Sequence, residues 1–424
     1  MKFQKKLAAL FIVFFVSVQI NAQTLSYEVK TNPHIDSKKL VQIDALVNDY
    51  IAKHWINGAT VLIAKNNQIV YHKALGYANL TSKKAMPENA IYRIMSQSKA
   101  ITSLAVLQLF EQGKFDLDDP IGNFIPSFKN QKVVENVNLS DTTFTTVPAK
   151  RQVTIRDLLT HSSGIDYTDI GSRKMSAIYN KAEIPSGLGY FNASLLEKMT
   201  ALGNLPLAHQ PGEKFTYGLN SDILGCLVEI ISGMSLETYC QKNIFDPLGM
   251  KDTYFNVPEN KASRMPNVYT ENEQHEVIDW APTFRKINPN YPLMKKTYFS
   301  GGAGLSSTAY DYAIFLQMIL NKGRYNGRQI ISPRTAELMV SPQLNFRKPE
   351  EDNFSLGFSL TSEKKANLNL RNAGSFSWGG YYGTNYWADP RENLVVLIMT
   401  QQTPNSHSEL KNKIENIIYG SLSK

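Results

Sequence analysis

Residues 36–54 carry apolar side chains three and four apart, which predicts an amphipathic helix. The stretches Ala59-Thr-Val-Leu-Ile-Ala64 and Gln68-Ile-Val-Tyr-His72 are β-branched and flank Asn66-Asn67, the pattern of a hairpin. Residues 97–112 are apolar almost all round and stop at Gly113. Such a girth predicts a helix that is buried instead of lying on the surface. From about 150 to 260 the periodicity is mostly helical, over Thr154–Thr160, Ala193–Ala201, Ser221–Ser232 and Ser235–Ile244. Residues 260–300 are rich in Asn, Pro, Tyr and Lys and read as long loops. A helix over Ala309–Asn321 follows, then strands over Phe354–Leu360, Asn367–Asn372, Thr384–Ala388 and Leu394–Thr400, and a last helix over about 406–420.

Strands at both ends with helices between them predict an α+β fold. One antiparallel sheet drawn from both chain ends is flanked by helices and interrupted by a mostly helical insertion. The sheet part covers about 38–120 plus 300–420, and the helical part about 150–300. Two parts that share a sheet form one unit, spanning 23–424. No internal repeat is present.

Apolar residues at 42% and charged residues at 19% are ordinary globular usage and exclude a disordered chain. Residues 1–22 pair Lys2, Lys5 and Lys6 with an apolar run from Leu7 to Ile20 and then Asn21-Ala22, the pattern of a cleaved export signal. The alternative is an uncleaved anchor, but the run is short of the roughly 20 residues a span requires. No Cys follows it, so lipid attachment to an N-terminal Cys is excluded. Removing the three lysines lowers the net charge from +8 to +5, spread without a basic run, so no nucleic-acid partner is expected. An exported, periplasmic or secreted, protein without a membrane span is the expectation. Cys226 and Cys240 fall in helical patterns and read as free buried thiols, although an exported pair can also bridge. No metal-ligand spacing or phosphate-binding loop occurs, so neither metal nor cofactor is expected.

The chemistry concentrates at Ser96-Gln97-Ser98-Lys99, where the buried helix begins. Ser96 and Lys99, three apart, share one helix face. A helix N-terminus favours negative charge on Ser96. A lysine desolvated beside it can help to remove the hydroxyl proton. The same spacing recurs at Ser362…Lys365, Ser408…Lys411 and Ser421…Lys424 in polar surroundings. Ser96 differs because a lysine entering an apolar helix is costly unless it is paired or used.

Further segments extend this picture in order: Gly113-Lys-Phe-Asp-Leu-Asp-Asp-Pro120, Thr154-Ile-Arg-Asp-Leu-Leu-Thr-His161-Ser-Ser-Gly164, Pro211-Gly-Glu-Lys-Phe-Thr-Tyr217, Asp246-Pro-Leu-Gly-Met250 and Gly301-Gly-Ala-Gly-Leu-Ser-Ser-Thr308. Together with Ser96-x-x-Lys99 they resemble the serine β-lactamase and penicillin-binding-protein superfamily over about 38–420. The resemblance is strongest to class C β-lactamases and family VIII carboxylesterases. It implies a serine hydrolase in which Tyr217 is the catalytic tyrosine beside Ser96 and Lys99, and in which His161 is structural despite its neighbours Ser162 and Ser163. Arg156 and Asp157 are expected to pair locally.

Two departures bear on substrate. β-Lactamases carry Tyr-x-Asn, whereas this chain has Tyr217-Gly218-Leu219, with Asn220 one place late. They also carry Lys-Thr-Gly on the strand edging the site, where this chain has Trp378-Gly379-Gly380, as in many family VIII esterases. The glycines would let substrate lie against the strand backbone, and the N–H groups of Ser96 and Tyr381 would form the oxyanion hole. The plainer reading of Trp378-Gly379-Gly380 is a bulged turn. Tyr167, Tyr190, Trp280, Phe284, Tyr298, Phe299, Tyr381 and Tyr382 fall in loops around the expected cleft. Losing the lysine leaves the carboxylate of a β-lactam or D-Ala peptide unpaired, which favours a small-molecule ester over such amides. A β-lactamase, a D-amino-acid peptidase and a non-catalytic binding protein on the same scaffold are the alternatives.

Overall fold

The computed structural model describes residues 24–189, 192–281, 287–348 and 350–423. Residues 1–22, read as an export signal, lie outside the described residues. Numbering only the strands of the main sheet, β1 is Gly58–Lys65, β2 Gln68–Asn79, β3 Lys84–Ala85, β4 Asn353–Phe354, β5 Ser359–Leu360, β6 Phe376–Gly379, β7 Asn385–Asp389 and β8 Leu394–Met399. They pair in the order β4-β5-β6-β7-β8-β1-β2-β3, every pair antiparallel. The middle of the sheet therefore joins the two ends of the chain, with Thr60 opposite Met399 and Lys65 opposite Leu394. The ends also meet directly: the Asp36 N–H donates to the Ser421 carbonyl at 2.8 Å, and the Ser423 N–H donates to that of His34 at 3.1 Å.

β1 and β8 are buried at every position, which is why both read as continuous apolar runs. Val61, Ile63, Val396 and Ile398 face a helical layer made by α1 (Gln42–Ala52) and the C-terminal helix Leu410–Ser421. Leu62, Ala64, Val395 and Leu397 face the larger core. That core holds α2 (Ser98–Glu111), which is buried at every residue from Ser98 to Leu109. Each fully buried Leu or Ile there contributes about 1.5–3 kcal/mol by leaving water. α2 packs on α4 (Asn220–Ser232) in the helical segment, which also includes α3 (Ile155–Leu159). α2 is thus clamped between sheet and helices, as its apolar girth requires. The hairpin turns at Asn66 and Asn67 with φ of 52° and 62°, left-handed values that Asn tolerates better than most residues.

Three local expectations need correction. Residues 367–372 form turns instead of a strand; Leu368 is 75% exposed, and the neighbouring strand is β6 further on. Residues 353–360 make two short strands with a turn between them instead of one. An exposed hairpin, Lys132–Asn138 with Thr143–Pro148, was not expected. Cys226 and Cys240 are free and buried; burial pushes the Cys226 thiol up to about 12, so it is inert. Among the described residues, no single helix is long and apolar enough to cross a membrane.

Candidate active site

The chain reaches the site through a strained turn. Met95, buried in an apolar cluster with Val268, Trp280, Ile287, Tyr291, Ala303 and Tyr382, has φ 48°. A non-glycine in this left-handed region costs on the order of 1–3 kcal/mol and persists only where packing over-determines it. The turn re-aims Ser96 immediately before α2. From residue 90 to 109, Ser96 alone is not buried. The following serine is spent inside: Ser98 is fully buried, and its Oγ accepts from the Leu305 N–H at 3.1 Å.

Lys99, 2% exposed, donates from Nζ to Ser96 Oγ at 3.3 Å, to the Tyr167 hydroxyl at 2.8 Å and to the Gly302 carbonyl at 2.8 Å. The same ammonium lies 4.7 Å from the centre of the Tyr217 ring. Tyr217 stands in the turn leading to α4, its ring beside the Lys99 ammonium and its hydroxyl accepting from Trp378 Nε1–H at 3.3 Å. Burial pushes the Tyr217 phenol up, but the Lys99 charge and the hydrogen bonds from Lys99, Ser96 and Trp378 outweigh it, and its pKa is lowered. Tyr167 goes the other way. Burial, then the neighbouring Tyr217 and Asp222, hold it well above the ordinary tyrosine value, so it stays a phenol. Two tyrosines 5.3 Å apart thus have opposite tendencies to ionise, a separation suited to moving a proton.

His161 ends α3 with φ 55° and is 2% exposed. Its Nδ1 accepts from Asn220 Nδ2 at 2.8 Å and from the Gly218 N–H at 3.4 Å, and its ring lies 5.0 Å from Tyr217. Burial, then the Lys99 charge, hold it well below the ordinary histidine pKa, so it is neutral and braces the Tyr217 turn. Asn220 also accepts from Ser163 Oγ–H. Both ends of its amide are therefore spent on the α3–α4 junction, and the Asn of Tyr-x-Asn is replaced by apolar, buried Leu219. Arg156 and Asp157 do not pair with each other. Arg156 binds Asp118 at 2.7 Å, and Arg151 binds Asp157 at 2.5 Å.

β6 edges the site. The Trp378 ring sits 5.3 Å from Tyr217 and 5.3 Å from Phe354. A Cβ on Gly380 would lie 2.4 Å from the Ile94 carbonyl oxygen and 2.3 Å from Thr384 Oγ1. Gly380 is thus required by the chain's own contact with the segment before Ser96, a reason different from the expected room for substrate. That contact sets residues 380–381 beside residues 94–96, the two segments that carry the expected oxyanion donors, Ser96 and Tyr381. Of the expected rim aromatics, Trp280, Phe299 and Tyr382 are buried in packing, and Tyr381 is half-buried against Tyr382 at 5.4 Å. Tyr190 and Phe284 lie outside the described residues. Sequence reasoning placed Tyr167 only on a rim and missed Asp222 entirely.

A family model described as Beta-lactamase matches residues 43–418. The chain belongs to the Beta-lactamase family. Within that family, Esterase EstB of Burkholderia gladioli is 26% identical over 370 residues, covering 85% of this chain and 89% of its own. The fold matches that of EstCE1, described as a hydrolase with promiscuous acyltransferase activity, with a TM-score of 0.76 and 24% identity over 91% of this chain and 99% of that one. It equally matches simvastatin synthase LovD from Aspergillus terreus, with a TM-score of 0.76 and 22% identity over 90% of this chain and 98% of that one. This Beta-lactamase-family protein is a serine hydrolase with the β-lactamase/transpeptidase-like fold.

Proposed function

We propose that the protein is an exported esterase that works through an acyl-enzyme on Ser96. One observation carries this reading: a half-buried serine just before a buried helix accepts from a buried lysine and lies beside a tyrosine whose pKa is lowered. Tyr217 takes the proton of Ser96 as Oγ attacks the ester carbonyl carbon. The oxyanion lies between the N–H groups of Ser96 and Tyr381. As the carbon–oxygen bond to the alcohol breaks, Tyr217 returns the proton to the leaving oxygen. Water, deprotonated by Tyr217, then attacks the acyl carbonyl carbon; as the bond to Ser96 Oγ breaks, Tyr217 returns the proton to Oγ and the acid leaves. Lys99, which donates to Ser96 Oγ and lies against the Tyr217 ring, holds the two groups in place.

Ester preference rests on Trp378. It stands where a lysine would meet a substrate carboxylate, and its one N–H is directed at Tyr217. The esterase name of EstB points the same way. A panel of p-nitrophenyl esters, β-lactams and D-Ala peptides tests this, with a short-chain ester expected to turn over fastest. Trp378→Lys is expected to raise cephalosporin turnover relative to ester turnover by about 10-fold, the worth of one charge-assisted hydrogen bond of roughly 1.5 kcal/mol. A wild-type enzyme that cleaves a β-lactam faster than any ester overturns the ester assignment and leaves the roles of Ser96, Lys99 and Tyr217 standing. Export predicts a mature chain starting near Gln23; N-terminal sequencing of secreted or periplasmic protein checks it, and a cytoplasmic chain retaining Met1 contradicts it.

A further inference from the structure

Asp222 is a buried carboxylate with no direct part in the chemistry above. It lies in the first turn of α4 and is 1% exposed. Its Oδ2 accepts from the Tyr298 hydroxyl at 2.7 Å, and its Oδ1 from Ser300 Oγ–H at 2.8 Å and from the Gly302 N–H at 2.8 Å. The other side of Gly302 faces Lys99: its carbonyl accepts from Nζ at 2.8 Å. One glycine therefore joins the carboxylate to the ammonium. The fit is close, since a Cβ on Gly302 would sit 3.2 Å from Asp222 Oδ1, 3.3 Å from Lys99 Nζ and 3.6 Å from the Tyr167 hydroxyl. The loop is fixed from a second side by Thr102 Oγ1–H, which donates to the Gly301 carbonyl at 2.8 Å.

We propose that Asp222 is a positioning residue: it holds the 298–302 loop so that the Gly302 carbonyl aims Lys99 at Ser96 and Tyr217, and its charge sets the pH at which the pair becomes active. This rests on the acyl-enzyme reading. A buried ammonium left to itself has several acceptors to choose from; a carbonyl clamped from behind leaves one geometry. The titratable groups facing this cluster are Lys99 from α2, Tyr167 and His161 from the α3 end, Tyr217 from the turn before α4, and Tyr298 from the loop itself. Burial pushes the Asp222 carboxyl up, while the donors from Tyr298, Ser300 and Gly302 and the Lys99 charge pull it back. Whichever neighbour gives up the proton, a nearby anion disfavours that loss. Removing the anion must therefore move the acid limb of kcat/KM to lower pH.

The test compares wild type, Asp222→Asn and Ser300→Ala on a p-nitrophenyl ester, with active sites counted by fluorophosphonate titration. For Asp222→Asn, kcat per titrated site is expected to fall about 30-fold, the scale of a sub-ångström misplacement, with KM within about 2-fold. Its acid limb should move down by roughly half a pH unit or more. Ser300→Ala, which removes one donor and keeps the charge, should lower kcat per site by about 3-fold and leave the limb in place. It also serves if Asp222→Asn does not fold. An unchanged kcat per site in the variants that fold, with an unmoved limb for Asp222→Asn, overturns the proposal even if the melting temperature drops. A wild-type protein whose Ser96 does not react with the fluorophosphonate overturns the acyl-enzyme reading instead.

Discussion

Ser96→Ala is expected to reduce turnover of a short-chain p-nitrophenyl ester to background, a loss on the order of 10⁴-fold or more. No neighbouring serine can stand in for the proposed nucleophile. Ser98 is fully buried and already bonded, and Ser162 and Ser163 are buried beside α3. Lys99→Ala and Tyr217→Phe should each fall by a similar order, because in the proposed mechanism Lys99 and Tyr217 serve one proton transfer from Ser96. Groups that act as a unit are strongly non-additive, so the Lys99→Ala/Tyr217→Phe double variant should be little worse than either single one. Steady-state kinetics with fluorophosphonate labelling reads all four proteins. Substantial activity in Ser96→Ala would locate the nucleophile elsewhere, and additive losses in the double variant would separate the roles of Lys99 and Tyr217.

Gly218→Ala is expected to lower kcat by about 100-fold while leaving a folded protein. An added Cβ would lie 2.1 Å from the Ile165 carbonyl oxygen and 2.7 Å from its carbon. Those are backbone atoms and cannot swing aside, so the turn that presents Tyr217 must shift instead. Overpacking of this kind costs about 1–3 kcal/mol in stability, and a displacement near 1 Å costs roughly 10² in rate. Gly420→Ala supplies the control. Gly420 lies in the last helix, where an added Cβ meets nothing within 4 Å, so the change should add up to about 1 kcal/mol of stability and leave kcat alone. Thermal melts alongside kinetics check both. An unaltered kcat in Gly218→Ala would mean that Tyr217 is not held by its turn.

Those expectations depend on contacts of very different sequence separation, and that separation decided what could be read without coordinates. Ser96 and Lys99 are three apart on one helix, and the Asn66-Asn67 hairpin is local, so pattern alone places them. The sheet joining 58–65 to 394–399 follows from apolar runs that only burial on both faces explains. Asp222 and Tyr167 are visible only once the 298–302 loop is folded against Lys99, because nothing in a single Asp or Tyr distinguishes a buried acceptor from a surface one. The false strand at 367–372 has a related cause. Leu368 and Leu370 alternate with Asn as a strand would, yet they are 75% and 50% exposed, so the alternation has no apolar face to serve. The resemblance implies the roles of Tyr217 and His161. It did not give the reason for Gly380, which is a contact with Ile94 inside the chain.

The pairing of β1 with β8 also sets an order of events in synthesis. β1 leaves the ribosome long before its neighbour β8. Until then the apolar run from Ala59 to Ala64 has β2 on one side and an open edge on the other, the condition under which strands pair with the wrong chain. The central layer therefore cannot close before β8 is made, and until then that edge of the nascent chain stays open. The same meeting of the ends offers a remedy. A circular permutant that joins the C-terminus to the segment before α1 and opens at an exposed loop would make β8, the last helix, α1 and β1 consecutive, turning the longest wait in the fold into one of the shortest.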